Sequence, residues 1–223
     1  MLDGLKEKCG IVGIYGKDLP VSRLVFFSLF ALQHRGQEAS GITTNNGDKL
    51  LTHKGVGLVA QVYKEKDIER LHGYIGIGHN RYSTSAGGAL DHAQPTLNKE
   101  STFALAHNGN LPSVSALEEF LASKKVLKSN RSDSELVADA IDYYIQNGNS
   151  IADAVKKVFP LLTGSFALVM MNKDTLVAVR DHYGMRPLSL GKIGAGHVIA
   201  SETCAISTIG AKFVRDIKPG EMI

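Results

Sequence analysis

Cysteine is nearly absent from this chain: Cys9 and Cys204 are the whole complement in 223 residues. Two thiols cannot build a disulfide framework or a four-thiolate metal site, so a stapled secreted mini-domain is excluded. No run of about 18 apolar residues occurs, which leaves no candidate for a bilayer-crossing helix. The first eight residues, MLDGLKEK, lack the apolar stretch of a secretory signal. The expected location is therefore the cytoplasm. Lys and Arg form no blocks and the net charge is only +3, too diffuse a balance to argue for a nucleic-acid partner. The eight histidines make no HExxH pattern, and CxxC is absent too, so metal catalysis has no workable ligand spacing. Asp91, Asp133 and Asp181 form no local carboxylate pair of the glycosidase kind. "GVGLVAQV" lacks the strand, turn and helix context of a dinucleotide site, and turn geometry explains its glycines better. With no repeat, low-complexity tract or linker, the chain reads as one large domain.

The apolar pattern supplies the architecture. "CGIVGIYG" reads as a buried strand, and "PVSRLVFFSLFALQHRG" as a helix with Pro20 near its start and Gly36 just past its end. "ASGITTNNGDKLLTHKG" predicts a hairpin about Asn45-Asn46-Gly47. "YIGIGHNRYST" and "STFALAHNGNL" predict strands that each end in a polar turn, with mostly loop between them. Three helices follow in "PSVSALEEFLASKK", "SDSELVADAIDYYIQNG" and "SIADAVKKVFPLL". Ser132 or Asp133 is the expected cap of the second, Glu135 completes a capping box, and Gly148 stops it. "GSFALVMMN", "TLVAVRD", "PLSLGKI", "HVIAS" and "AKFVRDIKPGEMI" then read as short strands. Strands at both ends with helices grouped between them predict an α+β fold of packed antiparallel sheets covered by helices. Strict βαβ alternation, which a parallel doubly wound sheet needs, is missing. The final "DIKPGEMI" breaks off like the start of another strand, so a longer parent chain is expected.

Chemistry concentrates on few residues. Cys9 is the candidate nucleophile, yet no Cys-His signature surrounds it. Cleavage of the Lys8–Cys9 bond would create an α-amine on the same residue, with an ordinary pKa of about 7.7–8.0, able to act as its base. The plainer alternative is a packed strand cysteine, and packing is also the reading of Cys204. Arg81, at a strand end, suits a two-pronged grip on a carboxylate, or simple solvation. Asn108 and Gly109 supply a side-chain amide and an unobstructed backbone N–H, the parts of an oxyanion hole, or else a hairpin turn. Asp133 suits a substrate ammonium as well as a helix cap.

In this order, "CGIVGI", "ALQHRGQEASGI", "GVGLVAQV", "GHNRYSTSAG", "AQPT", "AHNGNL", "SDSELV", "GSFALV", "RDHYGMRPL", "ASETCA" and "DIKPGEM" resemble the glutaminase domain of class II glutamine amidotransferases, the N-terminal-nucleophile family. The pattern is nearest to that family's purine-synthesis branch. The resemblance implies a four-layer αββα sandwich, a propeptide over 1–8 and a glutaminase domain over 9–223. It implies attack by Cys9 on L-glutamine with its freed α-amine as base, an oxyanion hole from Asn108 and Gly109, Arg81 on the substrate α-carboxylate and Asp133 on its α-ammonium. Thr84 and the stretch from Ser85 to Gly88 would complete the pocket wall, with Arg35 and Gly36 structural. The implied ammonia acceptor is a phosphoribosyltransferase domain outside these residues, in a parent expected to be a homo-oligomer. No cofactor is expected in this segment; magnesium and an iron–sulfur cluster would belong to the remainder. Two alternatives stay open: a glutaminase domain of the glucosamine-phosphate synthase type, and a non-catalytic regulatory module with an uncut leader.

Overall fold

In a computed structural model, residues 9–82 and 90–223 are described. The strands are β1 (Gly10–Tyr15), β2 (Ala39–Asn45), β3 (Leu50–Val56), β4 (Ile75–Arg81), β5 (Thr96–Leu97), β6 (Ala104–Asn110), β7 (Ser165–Met171), β8 (Leu176–Arg180), β9 (Ser189–Ile193), β10 (Gly196–Ala200) and β11 (Lys212–Asp216). The helices are α1 (Val21–Ala31), α2 (Val59–Val62), α3 (Glu65–Arg70), α4 (Ser115–Ser123), α5 (Asp133–Gln146), α6 (Ile151–Val158) and α7 (Thr203–Thr208). One sheet has the order β11-β9-β10-β1-β4-β2-β3 and the other β5-β6-β7-β8. Their named strand pairings are all antiparallel.

Period-two alternation in these strands builds four layers. On β1, Val12 and Ile14 face a cluster with Val25 and Leu29 of α1 and Ile206 of α7, while Ile11 faces the other way. On β7, Phe166, Leu168 and Met170 pack on Val137 and Ile141 of α5 and Val155 of α6, whereas Ala167 and Val169 turn toward Ile11 and Ile77. Each strand is buried on both faces, which is why β1 and β7 read as nearly continuous apolar runs. Fully burying one such Val, Leu, Ile or Phe contributes about 1.5–3 kcal/mol. The αββα sandwich that the resemblance implies is the fold.

Small residues line the space between the sheets. Ala104, Ala106, Ala167 and Ala178 are all buried there. A Cβ added at Gly13 would come within 2.6 Å of Val169, so the two sheets meet too closely for a side chain at this point.

The hairpin forms where predicted. Asn46 Oδ1 accepts the backbone N–H groups of Asp48 and Lys49, and Asn45 Oδ1 accepts that of Gly47, the side-chain-to-backbone pattern that makes Asn a turn residue. The predicted helix after Pro20 ends earlier than the sequence pattern, at Ala31, and Gln33–Arg35 tighten into a 3₁₀ turn before Gly36. This turn swings Arg35 inward. Helices α2, α3 and α7, of four, six and six residues, were not foreseen, because so few residues cannot display a helical period.

Candidate active site

Cys9 sits at the head of β1 with φ +65°, a left-handed conformation that a non-glycine residue adopts only under constraint. Arg35 supplies the constraint from both its ends: the Cys9 N–H donates to the Arg35 carbonyl at 3.0 Å, and Arg35 Nε donates to the Cys9 carbonyl at 2.8 Å. Arg35 is itself buried, and its Nη1 donates to Glu202 Oε1. Burial pushes the Cys9 thiol above its ordinary range, while the Tyr82 backbone N–H and the charges of Arg81, Arg35 and Arg186 pull it down. The net rise means that the thiol needs a base.

One cleft of about 250 Å³ is lined by Cys9, Arg81, Gly109 and Asp133, together with His79, Tyr82, His92, Gln94, His107, Asn110, Ser132 and Ser134. Four residues singled out in the sequence, spread over 125 positions, therefore share one wall. Arg81 closes β4 and lies 3.0 Å through Nε from Glu38 Oε2, which anchors one edge of its guanidinium. Its Nη1 is buried with no hydrogen-bond partner among the described residues, a donor placed for a planar acceptor. Asn108 does not line the cleft opening, but it is fully buried, and neither its amide nitrogen nor its amide oxygen has a partner among the described residues. Leaving such a group unpaired costs about 1–3 kcal/mol, which marks a place where a ligand has work to do. Gly109 is required by its neighbour strand: a Cβ there would lie 2.3 Å from the Ser165 carbonyl oxygen and 2.7 Å from Phe166 Cα. Thr84 and the stretch from Ser85 to Gly88 lie outside the described residues.

The cap of α5 separates two roles that the sequence left open. Ser132 is the N-cap, its Oγ accepting the Glu135 N–H while Glu135 Oε2 accepts the Ser132 N–H at 2.9 Å. Asp133 is thereby the first helical residue, with its carboxylate in the cleft wall. Its Oδ1 accepts from the Ser134 N–H and hydroxyl, which orients the group.

Behind these residues lies a polar network that sequence reasoning missed. Gln94 Oε1 accepts the His107 N–H, Gln94 Nε2 donates to Ser134 Oγ, and His107 Nδ1 lies 2.9 Å from that hydroxyl. With the Ser134 proton given to Asp133, His107 must donate from Nδ1, leaving Nε2 as a bare acceptor. His79 Nε2 in turn donates to the His107 carbonyl. Burial drives His79 down to about 3, and it lowers His107 too, against the opposing pull of Asp133. Both imidazoles are neutral at ordinary pH. The only sequence trace of the pair is the repeated His-Asn of "GHNRYST" and "AHNGNL", 28 residues apart. "RDHYGMRPL" forms a brace rather than a catalytic element: Arg180 donates to the carbonyls of Gly184, Arg186 and Ile217. It sets Arg186 where its charge reaches Cys9.

Residues 79–208 match the family model described as a glutamine amidotransferase domain. The amidophosphoribosyltransferase of Methanocaldococcus jannaschii is 41% identical over 96% of this chain and 46% of its own length. That of Bacillus subtilis is 37% identical over 100% of this chain and 47% of its own. Among solved structures, the glutamine phosphoribosylpyrophosphate amidotransferase of B. subtilis, in complex with ADP and GMP, aligns with a TM-score of 0.84 at 35% identity, covering 96% of this chain and 46% of that one. A structure described as the allosteric regulatory enzyme of purine biosynthesis aligns at 0.87 and 37%, with the same coverage. The chain spans about half the length of the relatives it matches. Its αββα layers, the cleft at Cys9 and these matches place it in the glutamine amidotransferase domain family, beside the amidophosphoribosyltransferases.

Proposed function

We propose that this chain is the glutaminase portion of an amidophosphoribosyltransferase, hydrolysing L-glutamine to glutamate and ammonia. The observation that carries the reading is the single cleft shared by Cys9, Arg81, Gly109 and Asp133. Arg81 grips the α-carboxylate of glutamine and Asp133 its α-ammonium, which leaves the side-chain amide directed to Cys9. Thr84 completes the grip in this proposal.

The Cys9 sulfur attacks the amide carbon, and the Gly109 N–H and the Asn108 amide stabilise the oxyanion, a contribution of about 3–4 kcal/mol for one such donor. Collapse expels ammonia and leaves a γ-glutamyl thioester. Water then attacks it, glutamate departs and the thiol is restored. The base is the Cys9 α-amine, freed by removal of 1–8. In a chain still joined at Lys8 that nitrogen is an amide without basic character. Once freed, it can keep one N–H on the Arg35 carbonyl and turn its lone pair toward the sulfur.

Ammonia then passes to a phosphoribosyltransferase domain in the rest of the parent chain, giving phosphoribosylamine at the head of purine synthesis. Support for that acceptor is the half-length match to relatives of that name. Homo-oligomeric assembly, and any magnesium or iron–sulfur centre serving the transferase, are assigned to the parent's remaining portion. Among the described residues no helix is long and apolar enough to cross a membrane.

The test pairs activity with mass. Purified active protein is expected to begin at Cys9, and Cys9→Ala to keep its thermal transition while losing at least about 10³-fold in glutamine hydrolysis. A Cys9→Ala protein that hydrolyses glutamine at the unsubstituted rate overturns the proposal.

A further inference from the structure

Outside the cleft, His34, Glu202 and Cys204 converge where the 3₁₀ turn after α1 meets the start of α7. One ligand-capable atom from each lies within 4.8 Å of the others, and this is the one such His, Cys and carboxylate group among the described residues. His34 Nε2 is 3.0 Å from Glu202 Oε2, and Cys204 Sγ is 3.6 Å from the same oxygen. We propose that His34, Glu202 and Cys204 form a binding site for a divalent transition-metal ion of the zinc class, with water in the fourth position.

Ligand chemistry selects the class. A thiolate and an imidazole beside one carboxylate suit zinc and its neighbours, not magnesium or calcium, which take oxygen ligands. Zinc bond lengths of about 2.0–2.3 Å set tetrahedral ligand separations of about 3.3–3.6 Å, close to the two spacings seen here. The His34 side chain is 57% exposed, so an ion has a path from solvent and room for water.

The second oxygen of Glu202 strengthens the case. Oε1 accepts from Arg35 Nη1, which fixes the plane of the carboxylate and leaves Oε2 to the other two ligands, the orienting role that outer partners play at metal centres. Binding replaces the His34–Glu202 hydrogen bond, shifts the His34 proton from Nε2 to Nδ1, and releases the Cys204 proton to solvent as the metal–sulfur bond forms. The site also touches the nucleophile's mount, since Arg35 links Glu202 to the Cys9 carbonyl through two hydrogen bonds. Ligands 168 and 170 residues apart in the chain leave no motif, so spacing rules pass over them.

The experiment uses residues 1–223 with Cys9→Ala, a segment in which Cys204 is then the single thiol, titrated with cobalt(II) and then zinc(II). The expected result is a thiolate-to-cobalt charge-transfer band at one ion per chain that zinc abolishes. The band is lost in Cys204→Ser, and His34→Gln weakens binding by more than about tenfold, while both variants keep the metal-free thermal transition. Absence of the band, or a His34→Gln protein that binds as tightly as its parent, overturns the proposal.

Discussion

Cys9 shows how a single residue is held in place by a neighbour remote in sequence. Its position before an apolar run, and the suitability of Asn108 and Gly109 as hydrogen-bond donors, were legible, because thiol and amide are chemical types. Its left-handed backbone and the Arg35 clamp were not, since they depend on a turn that only forms against β1. The buried histidines behind the cleft have a consequence that titration can read. An unfolded chain protonates His79 below pH 6.5, whereas the native site resists protonation until about 3. The unfolded state therefore binds more protons in that window, so native stability is full above 6.5 and falls as pH drops toward 3. At 1.36 kcal/mol per pKa unit, His79 accounts for about 2 kcal/mol between pH 6.5 and 5. His79→Gln, which retains a donor for the His107 carbonyl, is expected to lose about that much less over the same interval in urea unfolding. Equal losses in both proteins would show that His79 titrates normally in the folded chain.

At the level of elements, helix α5 does two jobs with adjacent residues. Ser132 terminates the backbone and Asp133 faces the cleft, a division set by one turn of capping geometry. The capping box was readable as S-x-x-E in "RSDSELV"; that Ser132 and not Asp133 is the cap is seen in the Glu135 N–H reaching Ser132 Oγ. Ser132→Ala should cost about 1 kcal/mol and also raise the KM for glutamine, because Asp133 loses its fixed register. Ser150→Ala is the control: it removes the cap of α6, whose Oγ accepts the Asp153 N–H at 3.1 Å, and Ser150 is not part of the cleft. It should show a similar loss of stability with an unchanged KM. If the two variants shift KM alike, the cap does not position Asp133.

For the molecule as a whole, function depends on how closely two sheets approach. The inter-sheet layer is built of alanines beside Ile11 and Ile77, and Cys9, at the head of β1, and Asn108 and Gly109, on β6, belong to opposite sheets. Ala167 is the register partner of Asn108, so Ala167→Leu should force the sheets apart at the site. The expectation is a loss of about 1–3 kcal/mol with a fall in kcat, whereas Met171→Leu, nearly volume-conserving at the same layer, should cost less than about 1.5 kcal/mol. A fully stable, fully active Ala167→Leu protein would mean the spacing is not limiting. The sequence by itself determined an α+β build of antiparallel sheets covered by helices, through short apolar strands at both ends and helices grouped between them, and it determined which residue types could act, through the chemistry of thiol, amide and guanidinium. Only the tertiary structure decided that Cys9, Arg81, Gly109 and Asp133 share a cleft, that His79 and His107 are held neutral behind it, and that Glu202 connects Cys204 to Arg35. Those relations join residues up to 169 positions apart, and burial, electrostatic coupling and hydrogen-bond geometry exist only once the sheets have closed on each other.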